Sequence, residues 1–292
     1  MEQTGKFVGK KIAAFILIYI VSMVLAEGVI IALHYMMGYD VLNGEMMDLE
    51  QMQIFKYYGY SVFLIITILY CTMVEKRSLK SMGLNNRIYD FLTGATGAVL
   101  LLFISVGLII LTGSIKCNGI NSRINYIQMF VFFGGFIIQA AAEEVMCRGF
   151  LMTSLIKRVS LPAAIIISAS VFAFPHIFSI FSEDLWCGLV GIINLYLVSA
   201  VFSLLMIKFG SIWSAIGMHS LWNFLLYNVL GLNLSGADEN LTSVFSMQVK
   251  AENLLSGGAY GIEASILTMV ILFLSSLILW FKYRKGIYDG IS

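Results

Sequence analysis

The segment Gln139 to Phe150, QAAAEEVMCRGF, sets three ionisable groups (Glu143, Glu144 and Arg148) into a chain that is otherwise mostly apolar. At membrane depth an unpaired charge costs at least ~2.5–3.5 kcal/mol, so such groups pair with each other or face a polar cavity. On a helix Glu144 and Arg148 are four residues apart, share a face and can pair. Glu143 sits beside Glu144 and points elsewhere, so its partner must come from another helix. The pattern predicts a structural ion pair between Glu144 and Arg148, and a functional role for Glu143.

Composition sets the class. The chain has 292 residues, of which 59% are hydrophobic and 12% charged, and its mean hydropathy is +0.89. Soluble domains carry about a quarter charged residues. Length alone would allow two soluble domains, but this composition argues for one integral membrane domain over 1–292. A net charge of +1, with no basic stripe interleaved with aromatics, gives no sign of a nucleic-acid partner. Four scattered cysteines (Cys71, Cys117, Cys147 and Cys187) form no CxxC pair, so neither a zinc site nor a disulfide framework is suggested. The first hydrophobic run is too long for a signal-peptide core and reads as a retained helix.

About 20 mostly apolar residues cross a bilayer as a helix. Eight segments meet that test: roughly 12–34, 55–74, 90–112, 126–147, 162–181, 186–207, 212–230 and 264–282. The fold expected is therefore all-α and polytopic, with a motif-bearing core near 126–230. Lysine and arginine placement orients it. Thirteen lie in alternate loops and at both termini, against four (Lys56, Lys116, Arg123 and Lys250) on the other side. Both termini are thus expected in the cytoplasm of a multi-pass membrane protein. The basic loop Glu75 to Leu84 reads as a topology signal touching lipid headgroups. The Gly/Ser/Asn-rich loop 231–263 is expected outside and mobile.

Two further polar clusters interrupt later helices. In VFAFPHIF, Phe172 and His176 are four apart and share a face. Pro175 removes a helical hydrogen bond and bends the axis beside the histidine. In GMHSLWNF, His219 and Asn223 share the same spacing and point into one cavity. At 1.5 Å per residue, His219, Asn223 and His176 lie ~11, ~17 and ~21 Å from the cytoplasmic ends of their helices, and Glu143 ~14–20 Å. Side chains from three helices therefore reach comparable depth, in a cavity open toward the cytoplasm. His34, at the outer end of the first helix, carries no function. Glu27, a lone acid in that helix, reads as structural.

These stretches resemble the CAAX-protease and bacteriocin-processing (CPBP, or Abi) family of intramembrane proteases. Its motifs EExxxR, FxxxH and HxxxN/D stand here as Glu143-Glu144-Val145-Met146-Cys147-Arg148, Phe172-Ala173-Phe174-Pro175-His176 and His219-Ser220-Leu221-Trp222-Asn223. The three are intact and in order over about 90 residues. The basic loop ending Met82-Gly83-Leu84 is also similar to one common in such proteins. The resemblance implies an endopeptidase in which Glu143 and His176 activate water while His219 and Asn223 stabilise the oxyanion. Glu144, Arg148 and Phe172 support them. The expected partners are the lipid bilayer and a peptide or lipidated protein substrate. No obvious eukaryotic additions are present, which points to a bacterial membrane and to peptide precursors as substrates.

The family has been described both as a metalloprotease and as a glutamate protease. Glu143, His176 and His219 could supply zinc ligands, but there is no HExxH and Asn is a poor zinc ligand, so metal-free catalysis is the expectation. Cys147 has no base at hand and reads as packing. Two other classes compete. A family member acting in bacteriocin immunity could bind without cleaving. A proton-coupled carrier could also bury acids and histidines, but such carriers often show repeated halves, and no repeat is visible here.

Overall fold

The computed structural model describes residues 2–40, 43–45, 47–181, 184–236 and 242–289, with side chains as far as residue 282. Among these residues, eight longer helices carry the fold. They are α1 (Glu2–Met36), α2 (Leu49–Leu69), α3 (Asp90–Leu111), α4 (Tyr126–Glu144), α5 (Leu161–Ala173), α6 (Leu185–Phe209), α7 (Trp213–Phe224) and α8 (Ile266–Asp289). Three run on in wider π-type turns, α2 through Val74, α4 through Met152 and α7 through Val229. With such continuations, six spans are long and apolar enough to cross a membrane: 2–36, 49–74, 90–111, 126–155, 161–180 and 185–209. Of the other two predicted spans, the last is present as α8, with a shorter apolar stretch Ile266–Lys282, and the seventh as the short helix α7 with its wide-turn continuation.

Local chemistry explains the boundaries. Asp48, Asn125 and Asp184 cap α2, α4 and α6 by accepting hydrogen bonds from first-turn N–H groups, donors that lack helical partners. Gly210 ends α6 at a φ of 58°. Side chains such as Leu17, Leu100, Phe103, Ile193 and Phe273 are exposed. A face this apolar suits lipid, and a helix satisfies its own backbone there. Glu27 also stands exposed on α1.

Contacts sort the loops into two ends. Lys11 meets Glu75 at 2.5 Å, Arg77 reaches the Gly149 and Phe150 carbonyls, and Asn85 and Arg87 donate to the carbonyls of Gly210 and Phe209. At the opposite end, β1 (Ile115–Ile120) pairs antiparallel with β2 (Phe245–Val249), Ile115 against Val249 and Cys117 against Met247. This small sheet is absent from the all-α expectation. It still fits the predicted alternation, because the loops that form it were assigned to one side.

Two loop expectations need correcting. Arg77 does not lie among headgroups. Its side chain is 8% exposed and donates to Ser81, Gly149, Phe150, Thr153 and Ser154, clamping the end of the α4 helix. The loop after α7 is also not loose where it is described. Leu232, Leu234, Tyr260, Ile262 and Ala264 are all buried. Residues 237–241 of that loop lie outside the described residues.

The motif helix α7 is set by its crossing with α3. A Cβ on Gly217 would stand 2.1 Å from the Phe91 carbonyl oxygen, and one on Gly94 1.8 Å from that of Ser214. Only glycine lets the two backbones approach this closely. Gly217 lies two residues before His219, so this contact fixes the depth and rotation of the histidine.

Candidate active site

The three motifs meet around a cavity of about 420 Å³ whose lining includes Glu143, His176, His219 and Asn223. Glu143 and Glu144 are the last residues of regular α4, and the wider turn of Val145–Met152 starts immediately after them. Asn223 likewise sits just before the wide turn Leu225–Val229. Such insertions are frequent at functional sites. His176 closes the 3-10 turn Phe174–His176 that Pro175 places after α5. The predicted bend is thus a short tight turn, continued by one helical turn to Ile180.

Glu144 and Arg148 pair as their spacing predicts, at 3.1 Å and with both side chains fully buried. The pair does not stand alone. The same Glu144 Oε1 accepts from His219 Nδ1 at 3.1 Å. Arg148 also donates to the Ser199 hydroxyl, and its guanidinium lies over the rings of Phe172 at 4.5 Å and Phe202 at 5.5 Å. Cation–π contact of this kind strengthens when water is excluded. Phe202 stacks on His219 at 5.2 Å, and Phe172 meets the same ring edge-on. The motif phenylalanine therefore bridges the arginine of one motif and the histidine of another.

Glu143 faces a histidine on another helix, as expected, but it also has a partner on its own helix, Gln139, which was not foreseen from the sequence. His219 Nε2 stands 3.6 Å from Glu143 Oε2, so the ring lies between two carboxylates, with Nδ1 on Glu144 and Nε2 toward Glu143. Holding one ring nitrogen on a carboxylate fixes the orientation of the other. His176 lines the same cavity and packs against Phe172 at 5.6 Å. Cys147 is buried and free, like the other three cysteines in having no disulfide. His34 is held by the Ile30 carbonyl, away from the site.

Several residues at the site were not singled out from the sequence. Gln139 donates to Glu143 Oε1 and accepts from the Asn223 amide, both at 3.3 Å, linking two motifs. Its spacing of four from Glu143 was the available signal. Ser199 and Phe202 carry no such mark, because their partners lie on other helices, Arg148 being 51 residues from Ser199. Glu263 also lines the cavity. Its carboxylate accepts from Trp222 and from the Ser235 N–H and hydroxyl.

The alternative zinc set was Glu143, His176 and His219. Among the described residues, no three His, Cys, Asp or Glu side chains converge as metal ligands do. His219 Nδ1 is held by Glu144 at 3.1 Å, and Nε2 faces Glu143 at 3.6 Å across the cavity.

The fold and cavity define a multi-pass membrane protein with a buried acid–histidine site. A family model described as type II CAAX prenyl endopeptidase Rce1-like matches residues 125–225, from the cap of α4 to the end of α7. The match covers all three motifs and bears out the resemblance to the CAAX-protease and bacteriocin-processing family. It supports a CAAX-type intramembrane protease. Neither a curated protein nor a solved structure matches the chain.

Proposed function

We propose that the protein is an intramembrane endopeptidase that hydrolyses a peptide bond in a peptide or lipidated protein reaching the cavity from the cytoplasmic side, where both termini also lie. The observation that carries this reading is the cavity shared by Glu143, His176, His219 and Asn223, with His219 anchored by the Glu144 carboxylate.

Glu143 is the general base. Its carboxylate is aimed by Gln139, and a carboxylate so placed can take a proton from an attacking water. His176, which lines the same cavity, shares the water and its proton. Attack on the scissile carbonyl gives a tetrahedral oxyanion. The Asn223 amide and a protonated His219 Nε2 stabilise it, and loss of one such donor costs ~10²–10³ in rate in enzymes where it has been tested. The proton taken by Glu143 then passes to the leaving amine. Glu144, Arg148 and Phe172 hold His219 in place without touching substrate. We read the chemistry as metal-free, with His219 Nε2 serving as a donor to the oxyanion rather than as a ligand. Bacterial peptide precursors are the substrates proposed.

The test compares peptides released by cells carrying wild-type protein with those from Glu143→Gln cells at equal membrane levels. That exchange keeps shape and removes the base. A peptide or new terminus lost in the mutant supports proteolysis and names the substrate. An unchanged profile with the phenotype intact favours binding, as in bacteriocin immunity, over cleavage.

A further inference from the structure

Glu263 belongs to none of the three motifs, yet it is half-buried at the cavity wall with both carboxylate oxygens engaged. Oε1 accepts from Trp222 Nε1 at 3.2 Å. Oε2 accepts from the Ser235 N–H at 2.8 Å and from the Ser235 hydroxyl at 3.1 Å. Its backbone carbonyl accepts from Asn194 at 2.8 Å, and Asn194 also donates to the Ser265 carbonyl at 3.0 Å. One residue thus ties together α6, α7, the extended segment after α7 and the start of α8.

Depth gives this knot its meaning. Asn194 lies nine residues into α6, ~13 Å along the helix from the sheet end, and Trp222 lies ~10 Å from the end of the α7 helix. Irregular backbone is tolerated at such depth only where protein surrounds it or it lines a cavity, because its polar groups have no water to fall back on. Here they are met internally. Gly236 N–H donates to the Tyr260 carbonyl, Asn233 to that of Ala259, and the Ser265 hydroxyl to that of Leu255. The packing is close. Gly261 has a φ of 96°, and a Cβ there would stand 2.8 Å from the Asn233 carbonyl oxygen. Leu234, Ser235 and Glu263 line the same cavity as His176 and His219.

We propose that Glu263 anchors residues 232–236 and 255–265 as a fixed plug that closes the cavity at the sheet end. The cavity is then blind at that end. Substrate and products pass by the opposite end or between helices. This inference stands whether or not the site is a protease.

Solvent access from each face is the test. In a Cys117→Ser background, Val198→Cys places a thiol on the cavity wall one turn of α6 beyond Asn194. A membrane-impermeant maleimide is applied to sealed vesicles of each orientation, with the Cys117→Ser protein, which lacks the added thiol, as blank. Labelling from the sheet face should be slow with Glu263 present. In Glu263→Ala it should rise at least tenfold, while labelling from the opposite face stays as it was. Ser235→Ala and Trp222→Phe remove one donor each and should give smaller rises. They carry the test by themselves if Glu263→Ala fails to accumulate. Fast sheet-face labelling with Glu263 intact, or no rise in any of the three variants, would overturn the plug.

Discussion

At the scale of single residues, the site depends on one oxygen. Glu144 Oε1 serves both Arg148 and His219, so removing it strands a buried guanidinium and frees the ring. Breaking one partner of a buried pair costs ~3–5 kcal/mol. Glu144→Ala and Arg148→Ala should each lower thermal stability in detergent by an amount of that order. The double replacement Glu144→Leu with Arg148→Met should recover much of the loss and remain inactive. Gln139→Leu tests a subtler contribution. It deletes two hydrogen bonds worth about 1 kcal/mol each, so turnover should fall by up to about thirtyfold with expression unchanged. Much of this was legible in the sequence: spacing of four gave the Glu144–Arg148 pair, and the lone position of Glu143 pointed to a partner on another helix. The sequence could not show that Glu144 also holds His219, which is 75 residues away. Nor could it show which imidazole faces Glu143, because side-chain direction across helices is set by packing rather than by period.

Elements show where local rules stop. Six spans followed from hydropathy and length alone, and Pro175 marked its bend. The small sheet was missed because Ile115–Ile120 and Phe245–Val249 are short and find each other across more than a hundred residues of chain. Arg77 was read as a headgroup contact because a basic loop gives no hint that its arginine turns inward. Arg77→Ala should release the end of the α4 helix and cost about 3 kcal/mol, seen as faster proteolysis between Gly149 and Lys157. The α3–α7 crossing makes a sharper prediction. Gly217→Ala forces backbone apart at a 2.1 Å approach. It should destabilise by ~1–3 kcal/mol and displace His219, so activity should fall further than the stability change explains.

For the whole molecule, orientation is the testable property. Contacts separate two ends of the bundle, and the lysine and arginine bias leads us to propose that the end opposite the sheet faces the cytoplasm. Cys117 is exposed on β1, whereas Cys71, Cys147 and Cys187 are buried. An impermeant thiol reagent should therefore modify intact cells at Cys117 alone, and Cys117→Ser should abolish the signal. Labelling only after the cells are opened would invert the topology. The shared oxygen of Glu144 has a consequence at this scale too. Robustness and turnover are wired through one atom, so selection cannot adjust them separately at this place. A screen for heat-sensitive alleles should return α4's second acid and its arginine among the losses of function, although neither meets a substrate. Any hardier version of the protein must be sought far from the motifs, on the lipid-facing helices.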